Sequence, residues 1–187
     1  MKKLKIAGII VAVLAVASYA SFQIFFRTAV PTYEGTVTID GLSSKVEVRT
    51  DEHGIPHLFA ENDHDLFFAQ GYVTARERMF QMEITRLAGR GELSSLFGEA
   101  TIDKDKFLKT IGIHRLAKTG YRAMSAESRA IIDAYTAGVN AFIRDTKTLP
   151  REYALLGAKP GRWESEDCVS TVLLMAFSLT RSFMIDL

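Results

Sequence analysis

Apolar residues at Leu66, Phe67, Ala69, Val73, Phe80, Ile84 and Leu87 recur at three-and-four spacing, which predicts a long helix over residues 63–89 with one buried face. The same spacing puts Arg76, Glu77, Glu83 and Arg86 on the solvated side. Asn62 or Asp63 can accept from the first free backbone N–H groups, and Gly89 and Gly91 offer permissive backbone at the other end. The result is a scaffold helix of about seven turns. Gly71 inside it costs roughly 1 kcal/mol relative to alanine, which points to a close backbone neighbour.

Upstream the period changes to two. Val37 and Ile39 alternate with polar residues over Gly35 to Asp40, and Val46 and Val48 do so over Lys45 to Thr50, so two half-buried strands are expected. A turn at Asp51 to Gly54 leads to a third short strand, Ile55 to Ala60, with Pro56 near its start or on an edge. Downstream, Glu99 to Ile113 reads as a polar connection with a short helical face at Phe107, Leu108 and Ile111. Ser125 opens a second long helix, with Glu127 in its first turn and a stripe through Ile131, Ile132, Tyr135, Val139, Phe142 and Ile143. Asn140 lies beside that stripe, placed to hydrogen-bond a loop. Residues 149–163 form a loop and short helix broken by Pro150, Pro160 and Gly161, with Trp163 as its anchor to the core. Glu164 to Asp167 then supply cap and first-turn acids for a third helix, Cys168 to Leu187, which is apolar nearly all round. Such a helix needs cover on several sides, so the chain is expected to be the N-terminal portion of a longer polypeptide.

The N-terminus is one-sided. Lys2, Lys3 and Lys5 precede Ile6 to Phe26, an almost unbroken apolar run closed by Arg27 and of roughly bilayer-crossing length. Residues 1–27 are read as a signal peptide or a membrane anchor, with Ser18-Tyr19-Ala20 an acceptable cleavage site. Residues 28–34 are a tether, and folded structure spans 35–187. The chain is therefore expected to be exported, to the periplasm or another extracytoplasmic space.

Composition excludes more than it assigns. A formal net charge of +1 on 187 residues, 48% of them hydrophobic, suits one cored domain and gives no support for nucleic-acid binding. The single cysteine, Cys168, sits beside Glu166 and Asp167 and reads as an inert packed thiol. His53 and His57 are four apart, but Gly54 and Pro56 forbid the helix that would aim both at one metal; His57 reads as a hydrogen-bonded histidine beside the main helix. The sequence holds no Gly-x-Ser-x-Gly elbow, phosphate-cradling glycine loop or zinc-spaced His/Cys set.

The strings GIPHLFAENDHDLFFAQGYV, GYVTARERMFQMEITRLAGRGELSSLFG, AYTAGVNAFI and RWESED resemble the penicillin acylase family, N-terminal-nucleophile amidohydrolases that include penicillin, cephalosporin and acyl-homoserine-lactone acylases. The resemblance implies an α+β chain, mainly helical with short N-terminal antiparallel strands, forming the alpha-chain portion of an αββα fold. It implies hydrolysis of linear amides through an acyl-enzyme, with a nucleophile exposed by self-cleavage at the head of a beta chain from the same precursor, so no catalytic residue is assigned here. It further implies a substrate-binding wall at Leu179, Arg181 and Phe183. Asp186 is implied as one ligand of a structural calcium, whose other oxygens would come from elsewhere. No organic cofactor is implied. The rival reading is a non-catalytic, membrane-anchored helical binding or adaptor protein.

Overall fold

A computed structural model describes residues 2–27 and 33–185, with side chains described for 8, 10–23 and 33–180. The elements in order are α1 (Lys2–Arg27), β1 (Glu47–Thr50), β2 (Pro56–Phe59), α2 (Asp63–Arg90), α3 (Ser94–Phe97), a 3-10 turn (Gly98–Thr101), α4 (Ile102–Ile111), α5 (Ile113–Ala123), α6 (Ala126–Asp145), α7 (Arg151–Leu156) and α8 (Ser165–Ile185). In α1, Ile10, Val11, Leu14, Val16 and Tyr19 are all exposed. Among the described residues no helix is long and apolar enough to cross a membrane. Most of the tether, residues 28–32, lies outside the described residues.

The termini of α2 follow from its flanking residues. Asn62 Oδ1 accepts from the Asp65 N–H at 2.8 Å. At the other end Gly91 adopts φ 66°, its N–H reaching Ala88 O while that of Glu92 reaches Leu87 O, so two otherwise orphaned carbonyls are satisfied. Asp65, fully buried, accepts from the Ser43 and Ser44 N–H groups (2.9 and 2.8 Å), the Ser43 hydroxyl (2.7 Å) and Asn62 Nδ2 (2.9 Å), tying the preceding loop to the helix start. The helix kinks at Arg78 (φ −135°, ψ 19°), and one residue on the Tyr153 hydroxyl donates to Met79 O at 3.4 Å. Ser125 caps α6 by accepting from the Ser128 N–H at 3.1 Å.

The two long helices cross backbone to backbone. A Cβ at Gly71 would sit 2.0 Å from Tyr135 O, and one at Gly138 only 1.9 Å from Phe68 O, so the close neighbour expected for Gly71 is α6. Around the crossing, Ala75, Met79, Met82, Val139, Phe142, Tyr153 and Trp163 form one core cluster. A second, of Leu87, Ala88, Leu93, Leu108 and Ile113, takes the inner face of α8 through Leu173, Leu174 and Phe177.

Four expectations are corrected. Residues 35–40 form no strand: Val37 is exposed, Gly35 and Gly41 take φ of +119° and +115°, and no strand edge lies alongside to complete a ladder among the described residues. The sheet is the two-stranded antiparallel pair β1–β2, with Val48 opposite Leu58; all four β1 residues are exposed rather than half-buried, since among the described residues no layer covers them. Glu83 and Arg86 are not wet. They are 2% and 7% exposed and form a two-point ion pair (2.6 and 3.0 Å). Finally, Glu99 to Ile113 keeps its expected short helix and is mostly exposed, but Asp105 within it is buried: it accepts from the Leu93 and Ser94 N–H groups at 2.8 and 2.7 Å and so caps α3 from a distance. The amphipathic α5 that follows was not marked by the sequence pattern.

Candidate functional site

The loop leading into α8 is fastened at three points. Glu83 Oε1 accepts from the Gly161 N–H at 3.2 Å, and a Cβ at 161 would lie 2.2 Å from Arg86 Nη2, so a side chain there would displace the guanidinium from its present position. Asn140 donates to Trp163 O (2.9 Å) and accepts from the Trp163 N–H (3.0 Å). Asp167, wholly buried, accepts from the Glu164 N–H at 2.9 Å and from Arg90 at 2.7 and 2.8 Å, while Arg90 also reaches Glu164 at 3.0 Å. The start of α8 is thereby locked onto the end of α2. Hydrogen bonding and the charge of Asp167 hold the Arg90 guanidinium above its ordinary value despite partial burial.

From that anchorage α8 runs outward with two unlike faces. Leu173, Leu174 and Phe177 pack inward, whereas Val172, Met175 and Leu179 are 66%, 62% and 60% exposed. An open groove of about 820 Å³ lies between α2, α6 and this outer face, with Met82, Ile132, Tyr135, Trp163, Cys168 and Met175 among its apolar walls. Gln70, Thr74, Arg78, Gln81 and Thr85 form a polar strip along its α2 side. Burial pushes the Cys168 thiol up to about 11, against a hydrogen bond with Thr136 at 3.5 Å, so it is a poor nucleophile, as its acidic neighbours suggested.

Of the predicted acyl wall, Leu179 is an exposed residue of the outer α8 face. Arg181 and Phe183 belong to the same helical backbone, and their side chains lie outside the described residues. Asp186 also lies outside them. Among the described residues no three His, Cys, Asp or Glu side chains gather into a metal site. His57 hydrogen-bonds Asp51 at 3.1 Å, with Asp51 also accepting from the His53 and Ile55 N–H groups, so it stabilises a turn. The groove and its cation Arg78 had no signature in the sequence, because three helices distant along the chain build it; the surplus of apolar positions on α8 was the only hint.

The chain is similar to penicillin acylase 2 proenzyme of Pseudomonas sp. (strain SE83), with 38% identity over 138 residues, 74% of this chain and 18% of that protein. It is similar to the acyl-homoserine lactone acylase QuiP of Pseudomonas fluorescens (strain Pf0-1), at 32% over 173 residues, covering 91% of this chain and 21% of that one. Penicillin G acylase of Escherichia coli is 32% identical over 130 residues, covering 67% of this chain and 15% of that protein. The chain therefore spans about a fifth of the length of these curated relatives. Among solved structures it is similar to a thermostable penicillin G acylase from Alcaligenes faecalis, with a TM-score of 0.66 and 28% identity over 73% of this chain and 75% of that one. The model of the penicillin amidase family matches residues 45–187, and the chain belongs to that family.

Proposed function

We propose that this chain is the N-terminal, alpha portion of an exported acylase that hydrolyses linear amide bonds of penicillin-type or other small N-acyl substrates. The observation that carries the reading is the family match through residues 45–187, combined with a terminal helix whose outer face is apolar and uncovered. The nucleophile lies outside this chain, at the head of a beta chain cut from the same precursor. The nucleophile adds to the amide carbonyl, its proton passes to the amine as the C–N bond breaks, and water then hydrolyses the acyl-enzyme, releasing the acid and restoring the nucleophile. This chain supplies scaffold and one side of the acyl pocket: Leu179, with Arg181 and Phe183 following it, lines that side. The assembled protein has the four-layer αββα fold. Asp186 gives one oxygen to a structural calcium completed by the other chain. Residues 1–27 are the leader or membrane anchor and 28–34 the tether, a reading supported by Lys2, Lys3 and Lys5 ahead of the apolar run.

The test is expression of the full reading frame followed by a screen of N-acyl amides, among them benzylpenicillin and N-acyl homoserine lactones, with mass spectrometry for chain splitting. Hydrolysis with two product chains is expected; a folded, intact product that cleaves none of these amides would sink the reading. Replacing Phe183 or Arg181 by alanine should raise KM for the hydrolysed amide more than it lowers kcat. Equal kinetics for both variants would remove these residues from the pocket.

A further inference from the structure

Where α2 ends and α5 and α8 begin, several side chains converge on one carboxylate. Asp167, wholly buried, accepts from Arg90 Nε on one oxygen (2.7 Å) and from Arg90 Nη2 and the Glu164 N–H on the other (2.8 and 2.9 Å). His114, in the first turn of α5, holds its Nδ1 4.0 Å from the oxygen that Arg90 Nε occupies, too far for a hydrogen bond. That nitrogen is buried and has no hydrogen-bond partner among the described residues. A buried polar atom left unpaired is uncommon and calls for a reason. The groups facing the ring are Arg90 from α2, Asp167 from α8, Glu164 from the loop ahead of α8, and Lys118 one turn further along α5 itself. Burial first, and then the Arg90 charge, hold the imidazole below its ordinary value, against the pull of Asp167. The ring is therefore neutral near pH 7 and takes up a proton only below about 6.5. Its side chain is 20% exposed, so solvent can deliver that proton.

We propose that His114 is a proton-operated latch on α8: a proton taken up at Nδ1 gives Asp167 a second cationic partner, draws its Oδ1 away from Arg90 Nε, and loosens the tie between the start of α8 and the end of α2. The geometry carries this movement outward. Ser165–Ile185 is a single helix, and α5 lies against its first turns, with Gly120 opposite Val169. Leu179 lies about 18 Å along that helix from Asp167, so a tilt of about 5° at the latch displaces it by about 1.5 Å. Acid thus shifts the wall of the acyl pocket. That effect on hydrolysis rests on the function proposed above, and the latch adds a regulating group to it; the latch itself stands on the cluster alone.

The test uses the protein expressed from the full reading frame, as parent and as His114→Asn, whose amide puts a polar group near the position of Nδ1 but takes no proton. His114→Gln replaces it if that variant does not fold. Amide hydrogen exchange over residues 164–170, corrected for the intrinsic effect of pH, is expected to rise about threefold or more in the parent between pH 7.5 and 5.5 and to stay level in the variant. Exchange in the parent that does not respond to pH, a result that needs no variant, overturns the latch, as does an equal rise in both proteins. Over the same range the ratio of parent to variant KM should rise about threefold while the ratio of their kcat values stays near one; taking ratios removes the titration of the nucleophile itself. A constant KM ratio overturns the lever from latch to pocket. If exchange responds as expected but no amide is hydrolysed, the acylase reading fails and the latch stands, so the two failures are distinct.

Discussion

The crossing of α2 and α6 makes a prediction whose sign changes between two glycines. A methyl group at Gly138 would lie 1.9 Å from Phe68 O and 2.9 Å from Tyr72 N, both backbone atoms of α2 that no rotamer change can move. Restoring an ordinary contact of roughly 3.5 Å requires the helices to part by about 1.5 Å. Parting them opens the cluster around Val139, Phe142 and Met79, and overpacking of this kind typically costs about 1–3 kcal/mol. Alanine's better helix propensity returns about 1 kcal/mol, less than the upper part of that cost, and a rigid backbone obstacle puts the clash at the costly end. The net loss for Gly138→Ala is therefore about 2 kcal/mol, or roughly 4–8 °C in Tm for a chain of this size. Gly120, in the interior of α5, is the control. A methyl there meets only Val169 Cγ1, at 3.7 Å, which is ordinary van der Waals contact. Gly120→Ala should thus raise stability by about 0.5–1 kcal/mol through propensity alone. Thermal unfolding of both variants, followed by circular dichroism beside the parent protein, reads the two signs directly. If Gly138→Ala melts at or above the parent temperature, the backbone contact does not set the helix spacing and the reasoning fails.

Further predictions concern the buried polar groups. Burial would push the Asp65 carboxyl up, but hydrogen bonds from Ser43, Asn62 and His64 outweigh it and hold the group well below the usual carboxylate range. Its stabilisation is therefore complete above the unfolded value of about 4 and is lost as pH falls toward the folded one, so Asp65→Asn should flatten the acid limb of a stability-against-pH curve. Replacing Glu83 alone by alanine strands the buried Arg86 charge and should cost about 3–5 kcal/mol, while replacing both by methionine should cost far less; a denaturation double-mutant cycle separates these. Cys168, with its thiol pushed up to about 11, should resist iodoacetamide at pH 8 when folded and react promptly in urea. Equal rates in the two states would contradict that burial.

What the sequence disclosed and what it concealed divide along a physical line. Features decided within one or two turns were legible: Asn62 and Gly91 as the ends of α2, Ser125 as the start of α6, and Gly71 as a point of close approach. Asn140 was also placed correctly against a loop, because an amide beside an apolar stripe must find partners nearby. Glu83 and Arg86 were misplaced because helical periodicity assigns charged residues to water. Their burial depends on Gly161, whose N–H and missing side chain lie 78 residues from Glu83. Residues 35–40 carry strand-like alternation, but a strand needs an edge to join. The groove between α2, α6 and α8 was invisible for a third reason: periodicity gives each helix a face, while the angle and spacing at which these helices meet depend on residues such as Gly138.

Asn140 meets Trp163 with both an N–H and an oxygen, so its side chain does for the loop what a neighbouring peptide unit does for a strand. Such mimicry discriminates finely between near-identical residues. Aspartate has the right shape but would set one oxygen against the Trp163 carbonyl, and glutamine has the right chemistry but one methylene too many. Position 140 is thus a length and polarity gauge, and a library randomised there should return asparagine while tolerating wide variation at exposed Ala137, one turn away.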